Sequence, residues 1–302
     1  MASESPKTED DVRSLTLPDG RTLSYAVYGA PSGFPTVFYL HGFPSSHPEA
    51  RQFHDAALAR GVRLLAMNRP GFGSSTFQAN RRLLDLPADL LALADNVGAQ
   101  TFGIIGVSGG APYALACALT LPKDRLRGVA LVSGLYPTTL GTAGMLTELR
   151  ALLWVAPLPG AGWLLRHVFS YSRARAEANP NLMDDMIKGR PAPDREVYER
   201  NEGNFKENTL DSVKGATPEG AAWEARLYGS PWGFDLADVD LGPGRIVMWH
   251  GAVDANTPVA MAQKAASMLK NAELRVLDNE AHASTIIHTA GEVLQTLKGL
   301  VA

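Results

Sequence analysis

The segment FGIIGVSGG, residues 102 to 110, restricts this chain more than any other stretch, because a β-rich apolar run ends on a serine held between Gly106 and Gly110. A serine thrust from a sharp strand-to-helix turn sits in a strained backbone conformation, and only glycine lets the flanking chain close around it. The GxSxG spacing therefore predicts a buried strand, a tight turn and a helix, with Ser108 as candidate nucleophile. Two other readings fit a glycine-rich turn. One is a purely structural turn. The other is a dinucleotide turn built on Gly103, Gly106 and Gly109, but that fingerprint belongs on the first βα turn of its domain with an acidic residue ending the second strand. Here the turn falls mid-chain, and Asp124 lies in the loop segment LPKDR.

The surrounding rhythm extends the α/β reading. A hairpin turned at Asp19-Gly20 opens the pattern, followed by the strand TVFYLHG, a helix from Glu49 to Arg60, the strand RLLAMNR and a helix over LLDLPADLLALADNVG. After the Ser108 turn come a helix from Ala111 to Leu121 and the strand LRGVALVSGL. This βαβαβαβ order implies a mostly parallel sheet flanked by helices on both faces. The rhythm breaks near Tyr136 and resumes at RIVMWHG, with helices at 146–156 and 163–178 and a polar region at 196–205 in the interval. Residues 136–232 are expected to form a mostly helical cap on a core of 13–135 and 233–302, with 1–12 a loosely attached tail. A helix from about Val259, the strand ELRVLDN and a helix from about Ser284 complete the chain.

Composition narrows the function classes. The 28 Lys+Arg against 31 Asp+Glu leave no electrostatic footprint for nucleic acid. Cys117 is the only cysteine, so no intramolecular disulfide or cysteine-based metal site forms. The apolar stretch at 145–169 is interrupted by Arg150, Pro157, Pro159, Gly160 and Arg166, which argues against a membrane span. With a polar, acidic start, the expectation is a cytoplasmic monomer or homodimer acting on a small molecule, without cofactor or metal.

A serine hydroxyl needs a base to take its proton and a carboxylate to hold that base in the right tautomer. Asp254 follows the strand ending WHG, and His282 follows the strand ELRVLDN in a loop just before the last helix. Asp278 and Glu280 also lie near His282. Of the other histidines, His41 and His250 end strands, His47 and His54 lie near one loop, His167 is in the insertion, and His288 is in the last helix.

The chain resembles an α/β-hydrolase of the capped, serine-dependent, esterase- or lactonase-like type, on the motifs LHGFP at 40–44, NRPGFGSS at 68–75, GVSGG at 106–110, HGAVDANTP at 250–258 and EAHAS at 280–284. The resemblance implies Ser108, Asp254 and His282 as a triad, the N–H groups of Phe43 and Gly109 as oxyanion donors, and a structural role for His41. Related epoxide hydrolases share the HGxP form but carry aspartate at the nucleophile, so a serine points to acyl chemistry. Trp154, Trp163, Tyr136, Trp223 and Trp232 are the expected substrate contacts, for an apolar or aromatic acyl substrate. A C–C hydrolase, a lyase, a thioester-releasing or cyclising enzyme, and a ligand-binding receptor remain alternatives at this stage.

Overall fold

A computed structural model describes residues 10–179, 184 and 187–302 of the chain. Eight strands form one sheet in the order β1-β2-β4-β3-β5-β6-β7-β8. They are β1 (Asp11–Thr16), β2 (Thr22–Gly29), β3 (Thr36–Leu40), β4 (Arg63–Met67), β5 (Phe102–Val107), β6 (Leu126–Val132), β7 (Ile246–Gly251) and β8 (Ala272–Leu277). The hairpin β1–β2 and the β2–β4 pair are antiparallel, and every later pair is parallel. Of the expected tail at 1–12, residues 1–9 lie outside the described residues. Asp11 and Val12 belong to β1, opposite Val27 and Ala26, and Asp10 pairs with Arg51 at 2.6 Å.

Period-2 alternation divides the central strands between two apolar layers. Phe38, Leu40 and Ile104 face α2 (Leu86–Asn96) and α3 (Ala111–Thr120), whereas Val37, Tyr39, Ile105 and Val107 lie in the layer shared with α1 (His54–Ala59) and the last helix, α10 (His282–Val301). Each fully buried Leu or Phe in these layers contributes about 1.5–3 kcal/mol. In α10, Ile286, Ala290, Val293, Leu294, Leu297 and Val301 recur at helical spacing and form its buried stripe.

Two element boundaries differ from the sequence reading. Residues 47–53 wind as a 3₁₀ segment, and α-helix starts only at His54; the Glu49 carboxylate within that segment accepts the Gly42 N–H and the Tyr39 hydroxyl. The last helix begins at His282 itself, two residues early, because the Ser284 hydroxyl accepts the Ala281 N–H and so helps define the helix start.

Among the described residues between β6 and β7 lie α4 (Thr147–Val155), α5 (Ala161–Ala178), α6 (Ala192–Arg200), α7 (Phe205–Lys214) and α8 (Pro218–Gly229), and α9 (Val259–Met268) links β7 to β8. Pro157, Pro159 and Gly160, the last at φ +81°, separate α4 from α5. The helix α8 was not resolved by the sequence reading. Its Thr217 hydroxyl caps the Gly220 N–H, giving it a defined start.

Candidate active site

Ser108 follows β5 directly and has φ +49°, a left-handed conformation rare for a residue with a side chain. The neighbouring glycines make that turn possible. A Cβ on Gly110 would run into the Leu40 carbonyl, and one on Gly106 would come within 2.8 Å of the Ala114 Cβ. Strand β5 thus presents Ser108 at the carboxyl end of the sheet, immediately before α3.

The Phe43 loop lies against the same turn. A Cβ on Gly109 would be 2.8 Å from the Phe43 Cβ, and one on Gly42 would be 3.4 Å from the Ser108 Cβ. The Phe43–Pro44 peptide is cis. Among the described residues, neither the Phe43 nor the Gly109 N–H has a hydrogen-bond acceptor. Two free donors beside a serine hydroxyl are what a developing oxyanion requires.

Asp254 and His282 meet through a 2.8 Å hydrogen bond between Nδ1 and Oδ2. The other Asp254 oxygen accepts the N–H groups of Asn256 at 2.8 Å and Thr257 at 2.9 Å, while the Thr257 hydroxyl donates to Oδ2 at 3.0 Å. Burial pushes the Asp254 carboxyl up, but the His282 imidazole and these donors outweigh it and hold it below the ordinary carboxylate range. Burial likewise disfavours the charged imidazole, yet the Asp254 carboxylate raises His282 above its ordinary value. Of the three acidic candidates, Asp254 is the one bonded to His282; Glu280 pairs instead with His288.

The segment after β6 stitches the three loops together. The Leu135 N–H donates to the Ser108 carbonyl at 2.9 Å, the Ser133 hydroxyl donates to the His282 carbonyl at 3.0 Å, and the one Thr257 hydroxyl hydrogen is shared between Asp254 Oδ2 and the Ser133 carbonyl, each at 3.0 Å. Ser108, Asp254 and His282 are thereby gathered at one end of the sheet. Among the described residues, however, the Ser108 hydroxyl has no hydrogen-bond partner, so the acid–base pair is joined and the serine–base contact is not. Such contacts often tighten only when substrate binds.

The remaining histidines are occupied elsewhere. The Arg69 N–H donates to His41 Nε2 at 3.4 Å and His41 Nδ1 faces the Gly42 carbonyl at 2.9 Å; burial and the neighbouring Arg69 keep that ring neutral. His250 Nε2 faces the Thr257 carbonyl at 2.5 Å. His47 bonds the Tyr28 hydroxyl, His54 accepts the Gly29 N–H, His167 faces the Trp163 carbonyl, and His288 bridges Glu280 and Glu202.

The five expected substrate contacts are scattered. Trp154 and Trp163 are 68% and 67% exposed, so neither forms a wall of a closed pocket around Ser108; α4 and α5 pack their smaller apolar residues inward and leave these indoles outside. Trp163 and Trp223 border an outer cavity of about 290 Å³ together with Phe77 and Arg226. Trp223 also donates to the Arg81 carbonyl, and Trp232 is buried in the core beside Phe234. Tyr136 is fully buried beside the His250 ring. The aromatic pair next to the serine turn is instead Phe43 and Phe169 of α5, edge to face at 5.8 Å.

Sequence reasoning missed a buried charge cluster behind the Phe43 loop. The carboxylate of Glu224, on α8, accepts Arg69 at 2.6 and 2.8 Å, Arg81 at 2.9 Å and the Tyr113 hydroxyl at 3.0 Å, with the Tyr228 hydroxyl at 2.9 Å. Arg69 also donates to the carbonyls of His41 and Gly42, and the single Tyr228 hydroxyl hydrogen is shared between Glu224 and the Gly109 carbonyl at 2.8 Å. Burial works against the Glu224 charge, but Arg69 and Arg81 overcome it and hold the carboxyl low, at about 2. The only available signal was the i, i+4 spacing of Glu224 and Tyr228 within an apolar helix.

Comparison with known proteins adds to this geometry. A family model described as alpha/beta hydrolase fold matches residues 35–289. Epoxide hydrolase B of Mycobacterium tuberculosis is 34% identical over 102 residues, covering 33% of this chain and 28% of that protein. A proline iminopeptidase of Xylella fastidiosa is 34% identical over 127 residues, or 39% of each chain. The chain thus spans less than half the length of these curated relatives. Among solved structures, the enol-lactonase of Burkholderia xenovorans LB400 superposes with a TM-score of 0.64 at 19% identity, covering 95% of this chain and 99% of that one. An esterase of Exiguobacterium antarcticum gives 0.64 at 16% identity over 95% and 98%. At these identities the likeness is one of fold.

Proposed function

Because the chain belongs to the alpha/beta hydrolase fold family, we propose that it is a serine hydrolase cleaving a carboxylic ester or lactone of an apolar or aromatic small molecule. The observation that carries this reading is the buried Asp254–His282 pair at the same sheet end as a left-handed Ser108 flanked by two unengaged N–H groups. Residues 136–232 act as the cap over a core of 13–135 and 233–302.

In this mechanism His282 Nε2 takes the Ser108 proton as the hydroxyl attacks the carbonyl carbon. Asp254 holds Nδ1 protonated and stabilises the imidazolium. The Phe43 and Gly109 N–H groups receive the oxyanion, each such donor contributing about 3–4 kcal/mol. His282 then protonates the leaving alcohol, and water repeats the sequence in reverse to release the acid. Phe43 and Phe169 offer the apolar surface nearest the reacting carbon.

The similarity to epoxide hydrolases does not extend to this chemistry. Opening an epoxide through a covalent alkyl ester requires a carboxylate nucleophile, and position 108 is a serine. The similarity to proline iminopeptidases favours amide hydrolysis as the second reading, since the same serine relay serves both acyl groups. A fluorophosphonate probe tests the proposal: it is expected to label Ser108 in the native protein and not in Ser108→Ala, and an unlabelled native protein defeats it. A panel of aryl esters, lactones and amino-acid anilides then separates ester from amide hydrolysis.

A further inference from the structure

The five residues Arg190-Pro191-Ala192-Pro193-Asp194 reach from the helical insertion to both loops that carry the acid–base pair. Arg190 donates to the Asn256 side chain at 2.7 Å, two residues beyond Asp254. Asp194, on α6 and only 3% exposed, accepts the N–H groups of Ala283 at 2.8 Å and Ser284 at 3.0 Å, one and two residues beyond His282. A carboxylate from one helix thus caps the start of another at the residue after the candidate base.

This placement has an electrostatic reason. His282 is the first residue of a 20-residue helix, and the positive end of a helix dipole disfavours an imidazolium there. The relay requires that imidazolium to form transiently. A buried carboxylate on these two first-turn N–H groups offsets the dipole and fixes the ring's backbone at the same time.

We propose that Asp194 is a positioning residue for His282, through which the insertion sets the orientation and proton affinity of the catalytic base, with Arg190 as its electrostatic counterweight. The proposal rests on the reading of His282 as that base. The charged or titratable groups around the ring are Asp254 from the loop after β7, His250 from β7, and Asp194 and Arg190 from the insertion. Asp254 and Asp194 favour the imidazolium, Arg190 opposes it, and buried His250 is held neutral with its Nε2 on the Thr257 carbonyl.

The test is an NMR titration of the His282 ring in the full chain, for wild type, Asp194→Asn and Arg190→Gln, alongside thermal melts and the pH dependence of kcat/KM. Asp194→Asn keeps an oxygen for the two N–H groups, so its melting temperature is expected to stay near wild type while the His282 midpoint moves to lower pH. Arg190→Gln is expected to move the midpoint the opposite way. A helix cap with a merely structural role cannot produce that opposed pair of shifts. Asp194→Ala loses the oxygen as well, and kcat is expected to fall on the order of 10- to 100-fold with little change in KM, the scale of a slightly misplaced catalytic group. Unchanged midpoints in both Asp194→Asn and Arg190→Gln overturn the proposal. The titration needs no turnover, so it is decided independently of probe labelling at Ser108, which judges the hydrolase reading alone.

Discussion

Replacing Glu224 by Gln is the most searching perturbation of the buried cluster, because it keeps the shape of the side chain and removes only its charge. Five hydrogen bonds end on the two Glu224 oxygens, from Arg69, Arg81, Tyr113 and Tyr228. The Arg69 and Arg81 side chains are 0% and 2% exposed, so neither guanidinium can turn to water when its counter-charge disappears. A glutamine also directs an amide N–H₂ at atoms that are themselves donors. Leaving a buried charge uncompensated costs about 3–5 kcal/mol. At roughly 2 °C per kcal/mol for a chain of this size, the melting temperature should fall by about 6–10 °C. Because Arg69 also grips the His41 and Gly42 carbonyls, its displacement should misaim the Phe43 N–H. The rate of Ser108 labelling should then drop by up to about 100-fold, the scale of one lost oxyanion donor. Calorimetry and timed labelling at neutral pH read both effects. Adding Arg81→Met removes one of the two stranded cations and should restore part of the stability, a coupling of about 0.5–3 kcal/mol. A Glu224→Gln protein that melts within about 1 °C of wild type would refute the reasoning, since it would mean the two arginines need no anion.

Three further outcomes follow from the same geometry. Asp254→Asn should lower kcat by about 10⁴-fold with little change in KM, because an amide cannot hold the His282 tautomer that the relay needs; steady-state kinetics on an activated ester will read it. Gly110→Ala should fold poorly or not at all, as its methyl meets the Leu40 carbonyl, and the soluble yield and circular dichroism of the variant check this. The pH profile has a defined sign: catalysis needs neutral His282, so kcat/KM should rise with pH through a midpoint above the ordinary 6.5, where Asp254 holds it. For stability the same raised value acts in the other direction. Its contribution is complete below about 6.5 and is lost as pH rises through the folded midpoint, whereas that of Asp254, whose carboxyl is depressed, is present above about 3.9 and lost in acid. Melts across about pH 3 to 9 separate the two.

Much of this protein was legible along the chain because its elements are governed by local rules. Alternating apolar strands, helix-period stripes and the proline break between α4 and α5 each follow from neighbours within a few residues, so the sheet, the helical interval and the Ser108 turn could be read before any coordinates. Asp254 and His282 could be read too, since each follows a recognisable strand. The direction in which the aromatic side chains of the insertion face could not. An aromatic residue in a helix shows the same letter whether it faces a pocket, a core or water, and Trp154 and Trp163 proved to face outward while Phe43 and Phe169 met beside the serine.

What the amino-acid order determined by itself was therefore the architecture and the placing of the candidate residues Ser108, Asp254 and His282 at strand ends, because backbone periodicity and a strained glycine-flanked turn are properties of contiguous residues. Tertiary structure alone decided how those side chains are supported. Glu224 lies 155 positions from Arg69, and Asp194 lies 89 from Ala283. Only folding brings such charges out of water and into contact, and electrostatic coupling between buried groups depends on that final separation and on the water excluded around it.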